Sequence, residues 1–117
     1  MNEIRELHDE AMVLAGKASV AQMWGRLDQA GKFLRQAYEK ESQAAWLVEG
    51  DLSLEPTRSV LFRSAASLAI DCNEFREAER LIAAALAGHP PTSIAVELGN
   101  LLERLGRKEG EIDRGSS

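Results

Sequence analysis

Apolar residues recur three and four positions apart along almost the whole chain, which is the spacing of one face of an α-helix. The alternation of apolar and polar residues that is typical of a strand is nearly absent. Signals that end helices interrupt the pattern at Gly25, at residues 49–53, at Asn73 and at residues 88–91. The pattern therefore predicts an all-α protein with about five helices, at approximately residues 2–24, 27–48, 54–71, 74–87 and 92–105.

The predicted helices form one domain, residues 1–106. Gly106 is predicted to close the last helix, and residues 107–117, which are charged, glycine-containing and almost without apolar side chains, are predicted to form a flexible tail. Helices of these lengths are not stable alone in water, so their apolar faces must pack together. Because three of the connections are only a few residues long, neighbouring helices should form antiparallel hairpins.

Two segments of the chain, separated by 48 residues, repeat the same order of residue types. Each has a turn residue, a large apolar residue two positions later and an alanine three positions after that. The first segment contains Gly25, Leu27 and Ala30, and the second contains Asn73, Phe75 and Ala78. An alanine-rich helix precedes each segment. Alanine on facing helices lets two backbones approach closely, so Ala78 should be a tight contact between helices.

These paired segments resemble the tetratricopeptide repeat family, in which a helix with small residues pairs with a second helix bearing alanine and large apolar residues. The resemblance implies hairpins stacked as a short right-handed solenoid, with units at about residues 11–48 and 55–90 and a capping helix at 92–105. The family repeat is about 34 residues long, so roughly 14 extra residues separate these two units. With fewer than three full repeats, either the long second helix and the last helix cap the stack or the chain forms a dimer.

The resemblance also implies that the first helix of each unit lines a concave groove for a partner protein. Helical spacing places mostly apolar or small residues on that face: Met12, Ser19, Gln22 and Met23 in the first unit, and Val60, Arg63, Ser67 and Ile70 in the second. Met12 and Met23 are either adaptable contacts or core residues. Arg63, the one cation, either binds a carboxylate of the partner or pairs with a nearby glutamate.

The two tryptophans have different predicted places. Trp46 lies off the packing stripe of its helix, so it either marks an exposed interface or is covered by the connection at residues 51–54. Trp24 directly precedes Gly25 and is predicted to close the first hairpin.

The residues that could carry chemistry do not form a recognisable active site. His8 and His89 are predicted to be solvated surface residues or helix-end groups, because neither has a second histidine at the spacing of a zinc site. Cys72 is the one cysteine, lacks an orienting group and is predicted to be a small packed residue. We therefore expect no enzyme activity, cofactor or metal.

Charge and hydropathy restrict the classes of partner that this chain is expected to bind. The chain has 14 Lys and Arg against 19 Asp and Glu, a net charge of −5, which disfavours nucleic-acid binding. Its longest apolar run is far shorter than the roughly 20 residues of a membrane span, so we expect no membrane partner and a cytoplasmic location. The expected function is a non-catalytic scaffold that binds a peptide or helix of another protein. A homodimerisation module is the alternative, and a helical-repeat RNA binder is a weaker one.

Overall fold

The chain folds into five α-helices and one short 3₁₀ turn in a computed structural model that describes the backbone of residues 2–115 and the side chains of residues 3–111. No strand occurs among the described residues, so the predicted all-α class is confirmed. The α-helices are α1 (Asn2–Met23), α2 (Leu27–Leu47), α3 (Thr57–Asp71), α4 (Phe75–Leu86) and α5 (Thr92–Gly115), and the 3₁₀ turn covers Leu52–Leu54.

Both hairpins turn with the same backbone geometry. Gly25 follows α1 with φ of +74°, and Asn73 follows α3 with φ of +61°. The next amide in each turn donates to a carbonyl five residues earlier, at 2.8 Å in both cases. This is the Schellman arrangement, which ends a helix with one left-handed residue, a conformation that glycine and asparagine tolerate best. The repeated segments seen in the sequence therefore have the same local structure.

The helices are stacked as successive hairpins. The α1–α2 hairpin contacts α3 through α2, α3 pairs with α4, and α5 packs on both α3 and α4. Ion pairs join Arg63 to Glu97 and Asp71 to Arg104, so α3 and α5 run in the same direction side by side. This arrangement fits the predicted short solenoid.

Small side chains allow the first hairpin to pack closely. The buried apolar residues of α1 are all alanines, Ala11, Ala18 and Ala21, and α2 buries Ala37, Ala44 and Ala45. The large core residues lie further along the chain and include Phe62, Leu81, Ile82 and Leu98. Ala78 is completely buried in this core, as expected for a close contact between helices.

A buried polar network (Glu55, Arg58 and Ser59) fixes the connection before α3. Arg58 is 3% exposed and donates to the carbonyl oxygens of Glu49, at 2.7 Å, and Ala84, at 2.9 Å. Glu55 accepts hydrogen bonds from Ser59. It also accepts from the backbone amide of His89 at 2.8 Å. The network therefore joins the end of α2, the start of α3 and the turn after α4.

The last helix differs from the prediction. It continues through Gly106 to Gly115, so the predicted helix end at Gly106 is wrong. A glycine inside a helix costs only about 1 kcal/mol, and Arg107 has a glutamate four residues away on either side, at positions 103 and 111. Those charge pairs favour continued helix. The predicted flexibility of residues 107–117 remains a prediction, and Ser116 and Ser117 lie outside the described residues.

Candidate binding groove

A cleft runs between α1 and α3, the first helices of the two hairpins. At the amino-terminal ends it forms a groove of about 580 Å³, which we call the N-terminal groove, lined by Ile4, Arg5, His8, Asp9, Pro56, Thr57, Val60 and Leu61. At the carboxyl-terminal ends a second groove of about 480 Å³, the C-terminal groove, is lined by Ala15, Ala18, Ser19, Gln22, Leu27, Ala30, Gly31, Leu34, Leu68 and Asp71. Because the early residues of α1 meet the early residues of α3, these two helices are parallel, as the predicted concave face requires.

A buried acid lies behind the N-terminal groove. Glu41 on α2 is 0% exposed, and both of its carboxylate oxygens lie 3.0 Å from Nδ1 of His8. His8 is half-buried and lines the groove. The prediction that His8 is a solvated surface residue is wrong, because it is the partner of a carboxylate that has no contact with water.

The local sequence explains how this pair is brought together. Glu41 lies one helical turn after the buried Ala37, and His8 lies one turn before the buried Ala11. Both polar residues therefore share the face along which α1 and α2 approach each other through small side chains. Burial of a carboxylate is tolerated here because His8 supplies a hydrogen-bond donor.

Burial controls the protonation of Glu41. Desolvation raises the pKa of this carboxyl above its ordinary value, and the hydrogen bond and charge of His8 and the charge of Arg63 oppose that shift only in part. A carboxylate that accepts from Nδ1 of His8 fixes the orientation of the imidazole ring. The other ring nitrogen, Nε2, makes no hydrogen bond with the described residues and is available to a ligand in the groove.

The pair does not activate a nucleophile among the described side chains. Thr57 is the only hydroxyl residue that lines the N-terminal groove, and it makes no hydrogen bond to His8. Burial raises the pKa of the half-buried Cys72 thiol, which disfavours the reactive thiolate. Within the part of the chain whose side chains are described, no group of three or more His, Cys, Asp or Glu residues could hold a metal ion.

The residues predicted to contact a partner lie in several different parts of the structure. Val60 lines the N-terminal groove, and Ser19 and Gln22 line the C-terminal groove. Met12 and Met23 are 40% and 84% exposed, so the alternative that places them in the core is wrong, and neither lines the cleft.

Two residues of α3 are poor candidates for direct contact with a partner. Ile70 is 1% exposed and belongs to the core, so its predicted role in binding is wrong. Ser67, one turn earlier on α3, is half-buried and lines neither groove. The sequence pattern placed Ile70 on the groove face, but the contact of α3 with three other helices buries most of its circumference.

Arg63 is already paired. Its Nη1 donates to Glu97 on α5, and its Nη2 lies 3.4 Å from the hydroxyl of Ser64. The structure therefore agrees with the alternative in which this arginine pairs with a nearby glutamate. Its side chain is 27% exposed.

Trp46 is half-buried between α3 and α4. Its Nε1 donates to Glu77 at 3.0 Å, its ring meets Phe62 edge-to-face at 5.0 Å, and the Arg80 guanidinium lies 5.2 Å from the ring centroid. These contacts come from α3 and α4 rather than from the connection at residues 51–54. Trp46 is therefore a packed residue that joins α2 to the second hairpin, not an exposed interface.

Trp24 does not close the first hairpin. Its side chain is 74% exposed, so that prediction is wrong. The turn is instead closed by its backbone, through the hydrogen bond from the amide of Arg26 to the carbonyl of Ala21.

Sequence reasoning missed Ile4, His8 and Leu61 as groove residues and Glu41 as the buried acid. The spacing of Ile4, His8, Ala11 and Ala15 on one face of α1 is the signal that could have identified the first two.

Among the described residues, no helix combines the length and the apolar character that a membrane span requires. Comparisons with family models, with curated proteins and with solved structures find no match to this chain.

Proposed function

We propose that this protein is a non-catalytic scaffold that binds a peptide or helix of a partner protein in the cleft between α1 and α3. The observation that carries the proposal is the composition of the N-terminal groove. Ile4, Val60 and Leu61 form an apolar wall, and His8 places an oriented imidazole beside it. Sites of this kind combine apolar surface for affinity with few polar groups that fix the orientation of the ligand.

The shape of the cleft favours an elongated ligand. Both grooves are lined by residues of α1 and α3, and α2 also contributes to the C-terminal groove. An extended peptide or an amphipathic helix can place side chains in both grooves at once. The net charge of −5 gives no phosphate-binding surface, which argues against the RNA-binding alternative.

The polar residues beside the apolar wall indicate which groups a ligand should carry. A neutral His8 that donates from Nδ1 to Glu41 presents Nε2 as an acceptor, and a protonated His8 presents it as a donor. Arg5 and Asp9 lie on either side and are both exposed. We expect the partner segment to insert an apolar side chain against Val60 and to place a backbone or side-chain polar group next to His8.

Selection from a displayed peptide library tests the proposal. Peptides enriched on the wild-type protein should share an apolar anchor and should lose at least about tenfold in affinity for Val60→Lys, because the substitution places a charge in the apolar wall. Val96→Lys is the matched control, since Val96 is an exposed valine on α5, away from the cleft. Equal binding of the selected peptides to all three proteins would contradict the proposed site.

A further inference from the structure

The buried pair of His8 and Glu41 controls the kind of hydrogen bond that the N-terminal groove offers to a ligand. Glu41 is 0% exposed, and among the described residues its carboxyl group has no hydrogen-bond partner other than Nδ1 of His8, 3.0 Å from both oxygens. The side chain of His8 is 34% exposed and lines the groove. Because Nδ1 is occupied by Glu41, Nε2 is the ring nitrogen that a ligand can reach.

Three protonation forms of this pair are relevant near neutral pH. In the first, a Glu41 carboxylate accepts from Nδ1 of a neutral imidazole, and Nε2 carries no hydrogen. The other two forms have one proton more: either a protonated Glu41 donates its O–H to Nδ1, or a Glu41 carboxylate accepts from Nδ1 of an imidazolium. Nε2 carries a hydrogen in both of these, so the location of the additional proton does not change what the groove offers.

Burial favours the two forms that have the additional proton. Without it the pair has a net negative charge in a site that is closed to water, where a single neutral N–H is the donor, and such a charge is costly. With it the pair has no net charge. In agreement, desolvation raises the pKa of the Glu41 carboxyl above its ordinary value.

The charged groups on the surrounding helices do not reverse this effect. Arg5 and Asp9 flank His8 on α1, are opposite in charge and are both exposed. Arg63 on α3 acts to lower the pKa of Glu41, but its contribution is smaller than that of desolvation. Its guanidinium is also paired with a glutamate of α5.

We propose that the pair keeps the additional proton at neutral pH, so that Nε2 of His8 is a hydrogen-bond donor that selects a partner segment with an acceptor oxygen beside its apolar anchor. The choice of ligand rests on the peptide binding proposed above. A carboxylate or a carbonyl group supplies the oxygen, and the exposed guanidinium of Arg5 in the same groove is a second donor for a carboxylate. Loss of the proton turns Nε2 into an acceptor, so binding should weaken as the pH rises.

Nitrogen-15 NMR of the imidazole rings in the full chain, without a peptide, tests the protonation. At pH 7 we expect Nε2 of His8 to have the chemical shift of a protonated ring nitrogen. The exposed His89, whose ring makes no hydrogen bond with the described residues, is the internal reference and should show the averaged tautomers of a solvated imidazole. An unprotonated Nε2 in His8, or a His8 spectrum identical to that of His89, would overturn the proposal whether or not a peptide binds.

The pH dependence of peptide affinity tests the role of the donor. A peptide selected on wild type should bind at least about fivefold more weakly at about pH 9 than at about pH 6, the size expected for one hydrogen bond. Glu41→Gln has no proton to lose at this site, so its affinity should not fall in this way, whereas Glu39→Gln, an exposed change on the same helix, should keep the wild-type fall. A fall that is equal in wild type and Glu41→Gln would overturn the donor role.

Two further variants separate the possible results. Replacing the acidic residues of the peptide by their amides should reduce affinity if the acceptor is a carboxylate, and should leave both affinity and pH dependence intact if it is a carbonyl group. Val60→Lys tests the proposed peptide site independently of His8. Peptides that bind this variant as well as wild type would contradict the site itself, while the NMR result would still decide the protonation of the pair.

Discussion

Nδ1 of His8 lies 3.0 Å from both carboxylate oxygens of Glu41, a fully buried acid on the neighbouring helix. This contact joins α1 to α2 at the base of the N-terminal groove. It therefore links the stability of the first hairpin to the geometry of the groove.

Glu41→Gln should change how stability depends on pH. Burial raises the pKa of Glu41 in the folded protein above its ordinary value of 4.5. The folded state therefore keeps a proton that the unfolded state releases, and the stability contributed by this group is lost as pH rises through the folded pKa. The glutamine variant has no such loss, so its free energy of unfolding relative to wild type should increase as the pH is raised from about 4.5 to about 8.

Urea unfolding followed by circular dichroism at several pH values measures this difference. Glu39→Gln, a change of an exposed glutamate on the same helix, is the control and should show no comparable trend. A Glu41→Gln protein whose stability follows the wild-type pH profile would show that the buried carboxyl does not titrate differently in the two states.

His8→Ala should be destabilising, by about 1–3 kcal/mol, because it leaves the buried Glu41 carboxyl without its hydrogen-bond donor. Adding Glu41→Gln to that variant should recover part of the loss. A double-mutant cycle of unfolding free energies provides the measurement, and additive effects would exclude coupling between the two side chains.

Gly88→Ala should destabilise the protein by about 1–3 kcal/mol. A Cβ at this position would approach the Arg58 guanidinium and lie 2.7 Å from Oε2 of Glu55. Arg58 is held by two backbone carbonyls and cannot move without breaking those bonds. Gly99→Ala on α5 is the control, since its added Cβ meets nothing within 4 Å and should raise stability by up to about 1 kcal/mol. Thermal melts that rank the two variants in the opposite order would contradict this account.

Ala78→Leu should cost about 1–3 kcal/mol, because Ala78 is fully buried where α4 meets its neighbours and the core has no room for a larger side chain. The exposed Ala83 lies on the same helix, and Ala83→Leu should leave the urea midpoint nearly unchanged. An unchanged midpoint for Ala78→Leu would mean that the two helices are not closely packed there.

The sequence was informative where local rules decide the structure. Gly25 and Asn73 end their helices for a reason intrinsic to each residue, and the alanine stripes predict close helix packing. The continuation of α5 through Gly106 could not be predicted in the same way, because a single glycine only weakens a helix and neighbouring charge pairs compensate.

The candidate site was less predictable because it depends on contacts between distant residues. Glu41 and His8 are 33 positions apart, and nothing local shows that a glutamate on α2 is buried. Nothing in the local sequence indicates that Arg58 is buried either, because its partners come from the end of α2 and from α4. The sequence left open whether Arg63 binds a carboxylate of a partner or pairs with a glutamate of its own chain. Its partner Glu97 lies on α5, so only the packing of α5 decides between the two.

The most direct test of peptide binding in the cleft is an NMR titration of isotope-labelled protein with a peptide selected on the wild type. Our account predicts that the largest shift changes cluster at Ile4, His8, Val60 and Leu61, where the N-terminal groove has its apolar wall and its imidazole. Shift changes confined to other surfaces, with these four residues unaffected, would contradict it.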